Sequence, residues 1–113
     1  MSGKPYTIFM LIRTTTNWLS LDTKARFAFV RETIGPILAA HPTVRMRFFD
    51  SEFFSAQVSD VVVWETVDLF AWRNLVDRLR ETPFWGTYFD VTNIIPSVEN
   101  SFADTNDAKA IGG

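Results

Sequence analysis

The chain has 113 residues, a formal net charge of −2 and no cysteine, and its composition is 47% hydrophobic and 15% aromatic. This size and apolar content predict one packed domain and exclude a disordered chain, while the slight acidity gives no general attraction to nucleic acid or to an anionic membrane. The lack of cysteine excludes disulfides, thiolate chemistry and cysteine-ligated metals.

The first predicted element is a central strand over Tyr6–Arg13, a continuous apolar run between Pro5 and a threonine cluster. The run is too short to span a membrane, and no small-residue cleavage site follows it. We therefore expect a soluble, cytoplasmic protein.

A helix follows, with Ser20 or Asp22 as its N-cap. Its apolar residues recur at helical spacing, and Gly35-Pro36 is expected to bend or end it. The stripe consists of Phe27, Val30, Ile34, Ile37 and Leu38.

Two strands are predicted next, over Val44–Asp50 and Ser59–Glu65, and the interval between them is long for a hairpin loop. Asp68 then caps a second helix, whose apolar stripe contains Leu69, Trp72, Leu75, Val76 and Leu79. A fourth strand covers Tyr88–Ile95 and is expected to stop at Pro96. We assign residues 1–102 to a single α+β barrel domain and residues 103–113 to a polar, flexible C-terminal tail.

The order β-α-β-β-α-β is that of the ferredoxin-like fold, an α+β architecture with a four-stranded antiparallel sheet and two helices on one face. The strands are apolar on both faces: Val61 and Val63 point one way, and Val62 and Trp64 point the other. In the fourth strand, simple alternation puts Ile95 on the side of Phe89 and opposite Ile94. An uncovered apolar face of this size predicts a homodimer.

Two runs carry a family resemblance: "RMRFFDSEFFSAQVSDVVVWETVDL" and "LRETPFWGTYFDVTNIIPSVENSF". They resemble the darcynin family, within the dimeric α+β barrel superfamily, and the resemblance covers roughly residues 5–102. Darcynins are functionally uncharacterised, so the resemblance implies a fold and no activity.

The wider superfamily implies a pocket between the sheet and its own helices, and includes cofactor-free monooxygenases, polyketide cyclases and haem enzymes. Several of these enzymes place a histidine after the second helix, where this chain has Thr82-Pro83-Phe84-Trp85. The only histidine, His41, lies in a loop before the second strand. One histidine without a pattern of other ligands is a poor metal site, so we expect no cofactor, and haem ligation by His41 is the minor alternative.

Arg45 and Arg47 lie two apart in a strand and therefore share a face. In one register their neighbours include Asp60; in the other they include Glu65. Three interpretations stay open: ion pairs with these acids across the hairpin or the dimer axis, a solvated rim, or recognition of an anionic or enolic oxygen of a ligand.

Two carboxylates are candidate general bases, Glu65 at the end of the third strand and Asp90 in the fourth. The superfamily resemblance implies that the end of the third strand lies near the pocket. Asp90 shares a face with Tyr88, which is a candidate ligand contact. The structural alternative for Glu65 is a partner for an arginine. For Tyr88 and Asp90 it is an outward-facing pair on an edge strand.

Trp64, Trp72 and Trp85, together with Phe84, are candidates for an aromatic ligand cavity, although aromatic residues on a helix stripe are commonly core. The hypothesis is a homodimeric, small-molecule-binding barrel, in one version a cofactor-free enzyme of monooxygenase or cyclase type. Its substrate would be apolar, aromatic or polyketide-like, with Arg47 stabilising an enolate. The alternative is a non-catalytic binding or assembly module with a filled core.

Overall fold

The computed structural model describes residues 3–112. Within them, four strands form one antiparallel sheet in the order β2-β3-β1-β4. The strands are β1 (Tyr6–Thr14), β2 (Arg45–Asp50), β3 (Asp60–Thr66) and β4 (Phe89–Val98). This order, with helices between β1 and β2 and between β3 and β4, is the predicted ferredoxin-like α+β fold.

The helices begin at caps that the sequence provides. Thr15 caps α1 (Thr16–Leu19), a short helix that the apolar pattern does not predict. Asp22 caps α2 (Thr23–Phe29) by accepting the amide hydrogen of Ala25, as predicted. Asp68 caps α4 (Leu69–Arg80) in the same way, through the amide hydrogen of Ala71.

Of the two outcomes predicted for Gly35-Pro36, a bend or an end of the first long helix, the end is wrong. After α2 the chain makes a π-helical turn over Val30–Ile34 and continues directly as α3 (Gly35–Ala39). The Gly35 amide bonds to the Val30 carbonyl, five residues back. Because a proline ring crowds the carbonyl four residues before it and donates no hydrogen bond, the turn widens and the helix continues.

The core lies between the sheet and the helices. Ile8, Met10 and Ile12 of β1 and Val62 and Trp64 of β3 are fully buried on one sheet face, which we call the helix-facing face. The helices contribute Ile34, Ile37, Leu75 and Leu79 to the same cluster. The side chains in between point to the other, open face, where Phe9, Phe49 and Ile95 keep 37%, 41% and 48% of their surface exposed.

Strand β4 departs from the prediction in two ways. Ile12 pairs with Val91 and Leu11 pairs with Asn93, so Thr92 is an extra residue in a β-bulge. The bulge moves Ile94 to the helix-facing face, opposite Met10, and Ile95 to the open face, which reverses the predicted assignment. The strand also continues through Pro96 to Val98; β4 is an edge strand, where a missing amide hydrogen costs no ladder bond.

The C-terminal segment contains α5 (Ser101–Thr105), which crosses the predicted domain boundary at residue 102. Ala103 is buried, and Lys4 bonds to Asp104 at 2.9 Å. The division into a domain and a flexible tail stays a prediction, and residues 1, 2 and 113, which it includes, lie outside the described residues. No helix within residues 3–112 is long and apolar enough to cross a membrane.

Candidate functional site

A cavity of about 790 Å³ lies between the helix-facing face and helices α1 to α3. Its volume is in the usual range of small-molecule sites, roughly 300–1,000 Å³. Most of its wall is apolar, contributed by Trp18, Leu19, Phe27, Phe29, Val30, Ile34, Leu38, Met46, Phe48, Trp64, Leu79, Phe84 and Phe89. It is the pocket position that the superfamily resemblance implies.

One wall of the cavity is an aromatic cluster centred on Trp18. The Trp18 ring centroid lies 4.9 Å from that of Phe89 and 6.1 Å from that of Phe29, and Phe84 packs against Phe89 at 4.9 Å. Tyr88 lies behind this wall, 5.4 Å from Trp18. The short helix α1 therefore brings Trp18 to the site, because it turns the chain back over the end of β1.

Exposed apolar side chains mark the opening of the cavity. Leu19, Phe27, Val30 and Phe48 line it, yet each remains substantially exposed, up to 66% for Phe27. Such a rim gives an apolar molecule a continuous path from solvent to the buried wall.

The acidic groups of the cavity wall gather at one end, around Asp60. Asp60 is 4% exposed, and its Oδ2 accepts a 2.7 Å hydrogen bond from the Ser59 hydroxyl. Carboxylate oxygens of Asp50, Glu52 and Asp60 lie within 4.8 Å of one another, close enough to share a cation. Asp50 and Glu52 are exposed, and exposed acidic clusters are common without an ion, so the cluster alone assigns no metal.

The pKa of Asp60 is raised from its ordinary 3.8 to about 6. Desolvation by burial is the main cause, and the neighbouring Asp50 and Glu52 add to it, whereas the hydrogen bond from Ser59 opposes it. A carboxyl group with a pKa near neutrality exchanges protons readily at physiological pH.

Trp64 is one of two predicted site residues that line the cavity, together with Phe84. The Trp64 ring is fully buried, and its Nε1 hydrogen has no hydrogen-bond partner among residues 3–112. A buried, unpaired donor costs about 1–3 kcal/mol, so this group would gain from a ligand acceptor or a bound water.

Arg45, Arg47 and Glu65 lie on the open face, away from the cavity. Arg45 pairs with Glu65 and Arg47 with Val63, which settles the register left open by the sequence. Within residues 3–112, no carboxylate lies within 4 Å of either arginine, and the Arg47 guanidinium lies 4.9 Å from the Phe49 ring centroid.

Asp90 and Tyr88 are likewise outside the cavity lining. Asp90 pairs with Arg13 on the open face and is exposed. Tyr88 precedes β4 and packs its ring 4.8 Å from Phe29. Neither Glu65 nor Asp90 therefore lines this cavity, and their predicted catalytic role stays a prediction.

Of the other predicted aromatic residues, Phe84 lines the cavity, while Trp72 and Trp85 do not. Trp72 packs against the core with an unpaired Nε1, and Trp85 lies under the Arg80 guanidinium at 5.1 Å. The predicted role of these two tryptophans in ligand binding stays a prediction.

His41 is also outside the cavity. Its Nδ1 lies 2.8 Å from the Ile37 carbonyl, so this nitrogen carries the hydrogen and the side chain completes the end of α3. Within the described residues, the cavity wall contains no histidine. The residues present therefore do not fit histidine-ligated haem.

On the sequence alone, Asp60 is a possible partner of the arginine pair and not a candidate base, although a signal for its burial exists. It is in phase with Val62 and Trp64 in β3, and this alternation puts a carboxylate on the buried face. Trp18 gave no such signal, because α1 is one turn long.

A family model described as "Darcynin, domain of unknown function" matches residues 2–113. The chain belongs to the darcynin family. This darcynin is 47% identical over 102 residues to a darcynin homologue of Streptomyces avermitilis, covering 89% of this chain and 84% of that relative. It is 49% identical over 70 residues to the darcynin of Chromobacterium violaceum, covering 61% of this chain and 89% of the relative.

Among solved structures, the darcynin is similar to a chlorite dismutase from Candidatus Nitrospira defluvii, with a TM-score of 0.77 and 22% identity over 95% of this chain. A complex of that organism's chlorite dismutase with imidazole has a TM-score of 0.72 and 24% identity over 85% of this chain. The darcynin spans 45% and 40% of these two chains. At this identity the likeness establishes the fold alone.

Proposed function

We propose that this darcynin binds a flat, apolar small molecule in the cavity between its sheet and helices. The single observation that carries this proposal is the cavity itself: about 790 Å³, with an apolar and aromatic wall and one polar end. Since an apolar void of this size costs packing energy, a molecule that fills it would stabilise the fold. An open cavity also gives the alternative of a filled core less support.

The position of Asp60 supports a catalytic version of this proposal. Its carboxyl group has a pKa of about 6 and lies in the cavity wall, so it would remove a proton from an acidic carbon or hydroxyl of a bound substrate. The apolar wall would supply orientation. In this version the protein would be a cofactor-free enzyme of cyclase or monooxygenase type. Asp60 would be its general base, the role that the sequence suggested for Glu65 or Asp90.

Binding is tested by calorimetric titration with a neutral probe, naphthalen-2-ylmethanol. We expect saturable binding to the native chain and its loss in Leu38→Trp, which places an indole inside the cavity. Phe70→Trp is the matched control, because Phe70 is 62% exposed on α4 and outside the lining. Absence of binding to the native chain, or equal binding to both variants, would overturn the proposal.

We also propose that the protein is a homodimer joined through the open sheet face. Phe9, Phe49 and Ile95 remain exposed there beside Leu11, Val61 and Val63, and a second sheet would cover them. Arg45 and Arg47, which form no ion pair within residues 3–112, and the acidic Glu65 lie on the same face. They supply opposite charges for pairing across a two-fold axis.

A further inference from the structure

The cavity carries an uneven distribution of charge, which restricts what it can accept. Its charged lining residues within the described chain are Arg26, Asp50, Glu52 and Asp60. The three acids are gathered within 4.8 Å at one end. That end is therefore an acidic, partly buried pole of an otherwise apolar chamber.

Arg26 does not neutralise this pole. Its Nε donates to the Trp18 carbonyl at 3.3 Å, and an Nη donates to the Leu19 carbonyl at 3.1 Å. Its guanidinium carbon lies 5.7 Å from the Trp18 ring centroid. Within residues 3–112, the ion pairs closer than 4 Å are Lys4–Asp104 and Arg31–Glu32, and neither reaches the cavity acids.

In the part of the chain that the structure describes, no cation compensates the charge of Asp60. Asp50 is its cross-strand partner on β2, and β1 places Ile12 beside it. The helices contribute Thr23, the hydrogen-bonded Arg26 and otherwise apolar groups to the cavity wall. A buried carboxylate without a counter-charge is costly, and a ligand that supplies the counter-charge would bind with a charge-assisted hydrogen bond.

A second feature points to a ligand independently of the acids. Trp64 is fully buried in the same cavity wall, and its Nε1 hydrogen has no acceptor. On β3 it lies on the same face as Asp60, four residues along the strand, which is about 13 Å of backbone. Within the described residues, the Trp64 part of the cavity wall thus carries an unpaired donor, well away from the acidic pole.

We infer that the cavity selects a hydrophobic amine: a flat apolar body, a protonated nitrogen at Asp60, Asp50 and Glu52, and a hydrogen-bond acceptor near Trp64. This inference rests on the proposed binding function and specifies its ligand class. An organic cation fits better than a divalent metal ion, since Ca²⁺ and Mg²⁺ take about six or more oxygen ligands, and the rest of the wall is largely apolar.

The test uses three probes that share one ring and differ in charge: naphthalen-2-ylmethanamine, naphthalen-2-ylmethanol and 2-naphthoate. We expect calorimetry at about pH 8 to give roughly tenfold tighter binding of the amine than of the alcohol, from one charge-assisted bond, and the weakest binding for the carboxylate. Since Asp60 gains its proton below pH 6, the preference for the amine should shrink at about pH 5.

Asp60→Asn should abolish the preference, so that amine and alcohol bind alike, and Asp90→Asn is the matched control on the exposed face. If Asp60→Asn fails to fold, the double variant Asp50→Asn with Glu52→Gln should reduce the preference instead. Equal binding of amine and alcohol to the native chain would overturn the inference and leave the proposed function standing. If none of the probes binds, both the amine inference and the proposed binding function are overturned. If Ca²⁺ or Mn²⁺ alone binds tightly and displaces the amine, the site is a metal site and the amine inference is wrong.

Discussion

The Ser59 hydroxyl donates a 2.7 Å hydrogen bond to the carboxylate of Asp60. The Ser59 Oγ also accepts a hydrogen bond from the Thr14 amide at 2.8 Å. The hydroxyl group is therefore held both as a donor and as an acceptor. This pair joins the start of β3 to the end of β1, at the acidic pole of the cavity. It gives the only strongly perturbed acid among the described residues a defined orientation.

Removing the charge of Asp60 should change how stability depends on pH. Its pKa is raised from 3.8 to about 6 in the folded state, so the folded state holds the proton more tightly than the unfolded state. Its stabilising contribution is therefore full below pH 3.8 and is lost as the pH rises through 6.

We accordingly expect Asp60→Asn to be more stable than the native chain at about pH 8, by on the order of 1–2 kcal/mol. The difference should be smaller at about pH 4. Urea unfolding of both proteins across this range measures it, with Asp90→Asn as the control. A difference independent of pH would contradict the assignment of the raised pKa to Asp60.

Ser59→Ala tests the hydrogen bond to Asp60. Because the hydroxyl bond stabilises the carboxylate form, its removal should raise the pKa of Asp60 further. A carbon-detected NMR titration of the side-chain carboxyl groups follows this directly. An Asp60 pKa that stays the same or falls in Ser59→Ala would show that the bond does not favour the ionised form.

A charge in the centre of the open face should separate the proposed dimer. Phe9 is 37% exposed in one protomer and would be buried between two sheets, so Phe9→Glu would bury an unpaired carboxylate. We expect sedimentation of the native chain at twice its 12.9 kDa mass, and of Phe9→Glu as a monomer. Phe70→Glu, on the exposed side of α4, should leave the dimer unchanged. A native chain that sediments as a monomer at micromolar concentration would contradict the dimer.

Substitutions of the arginine strand should affect assembly and spare the cavity. Arg47 and Glu65 lie on the open face, separated from the cavity by the sheet. We therefore expect Arg47→Ala and Glu65→Gln to leave the affinity for naphthalen-2-ylmethanol within about twofold, a difference below ~0.5 kcal/mol, and to weaken the dimer. Loss of probe binding in variants that remain dimeric would instead support their predicted role in ligand binding.

The sequence predicted the fold better than the site, for physical reasons visible in particular residues. Strong local patterns, such as the apolar run of β1 and the caps Asp22 and Asp68, act over short stretches and appear in the structure where predicted. The reversal of Ile94 and Ile95 comes from one bulged residue, Thr92, whose placement depends on pairing with β1.

The candidate site was harder to predict because it is assembled from distant segments. Trp18 and Asp60 come from α1 and β3, and each looks ordinary among its sequence neighbours. The register of Arg45 and Arg47 decided which face of the sheet they occupy, and a one-residue slip would have put them in the cavity. Only the pairing of Arg45 with Glu65 resolves that choice.

Pro96 in the edge strand β4 has a consequence for how copies of this protein can aggregate. The unpaired amide hydrogens and carbonyls of an edge strand can bond to an edge strand of another molecule. Repeated pairing of this kind joins sheets into continuous fibrils. Proline interrupts that row of donors near the C-terminal end of β4, two residues before its last residue, Val98. Edge-to-edge pairing of two sheets through β4 is therefore disfavoured, although the strand is long and has apolar residues.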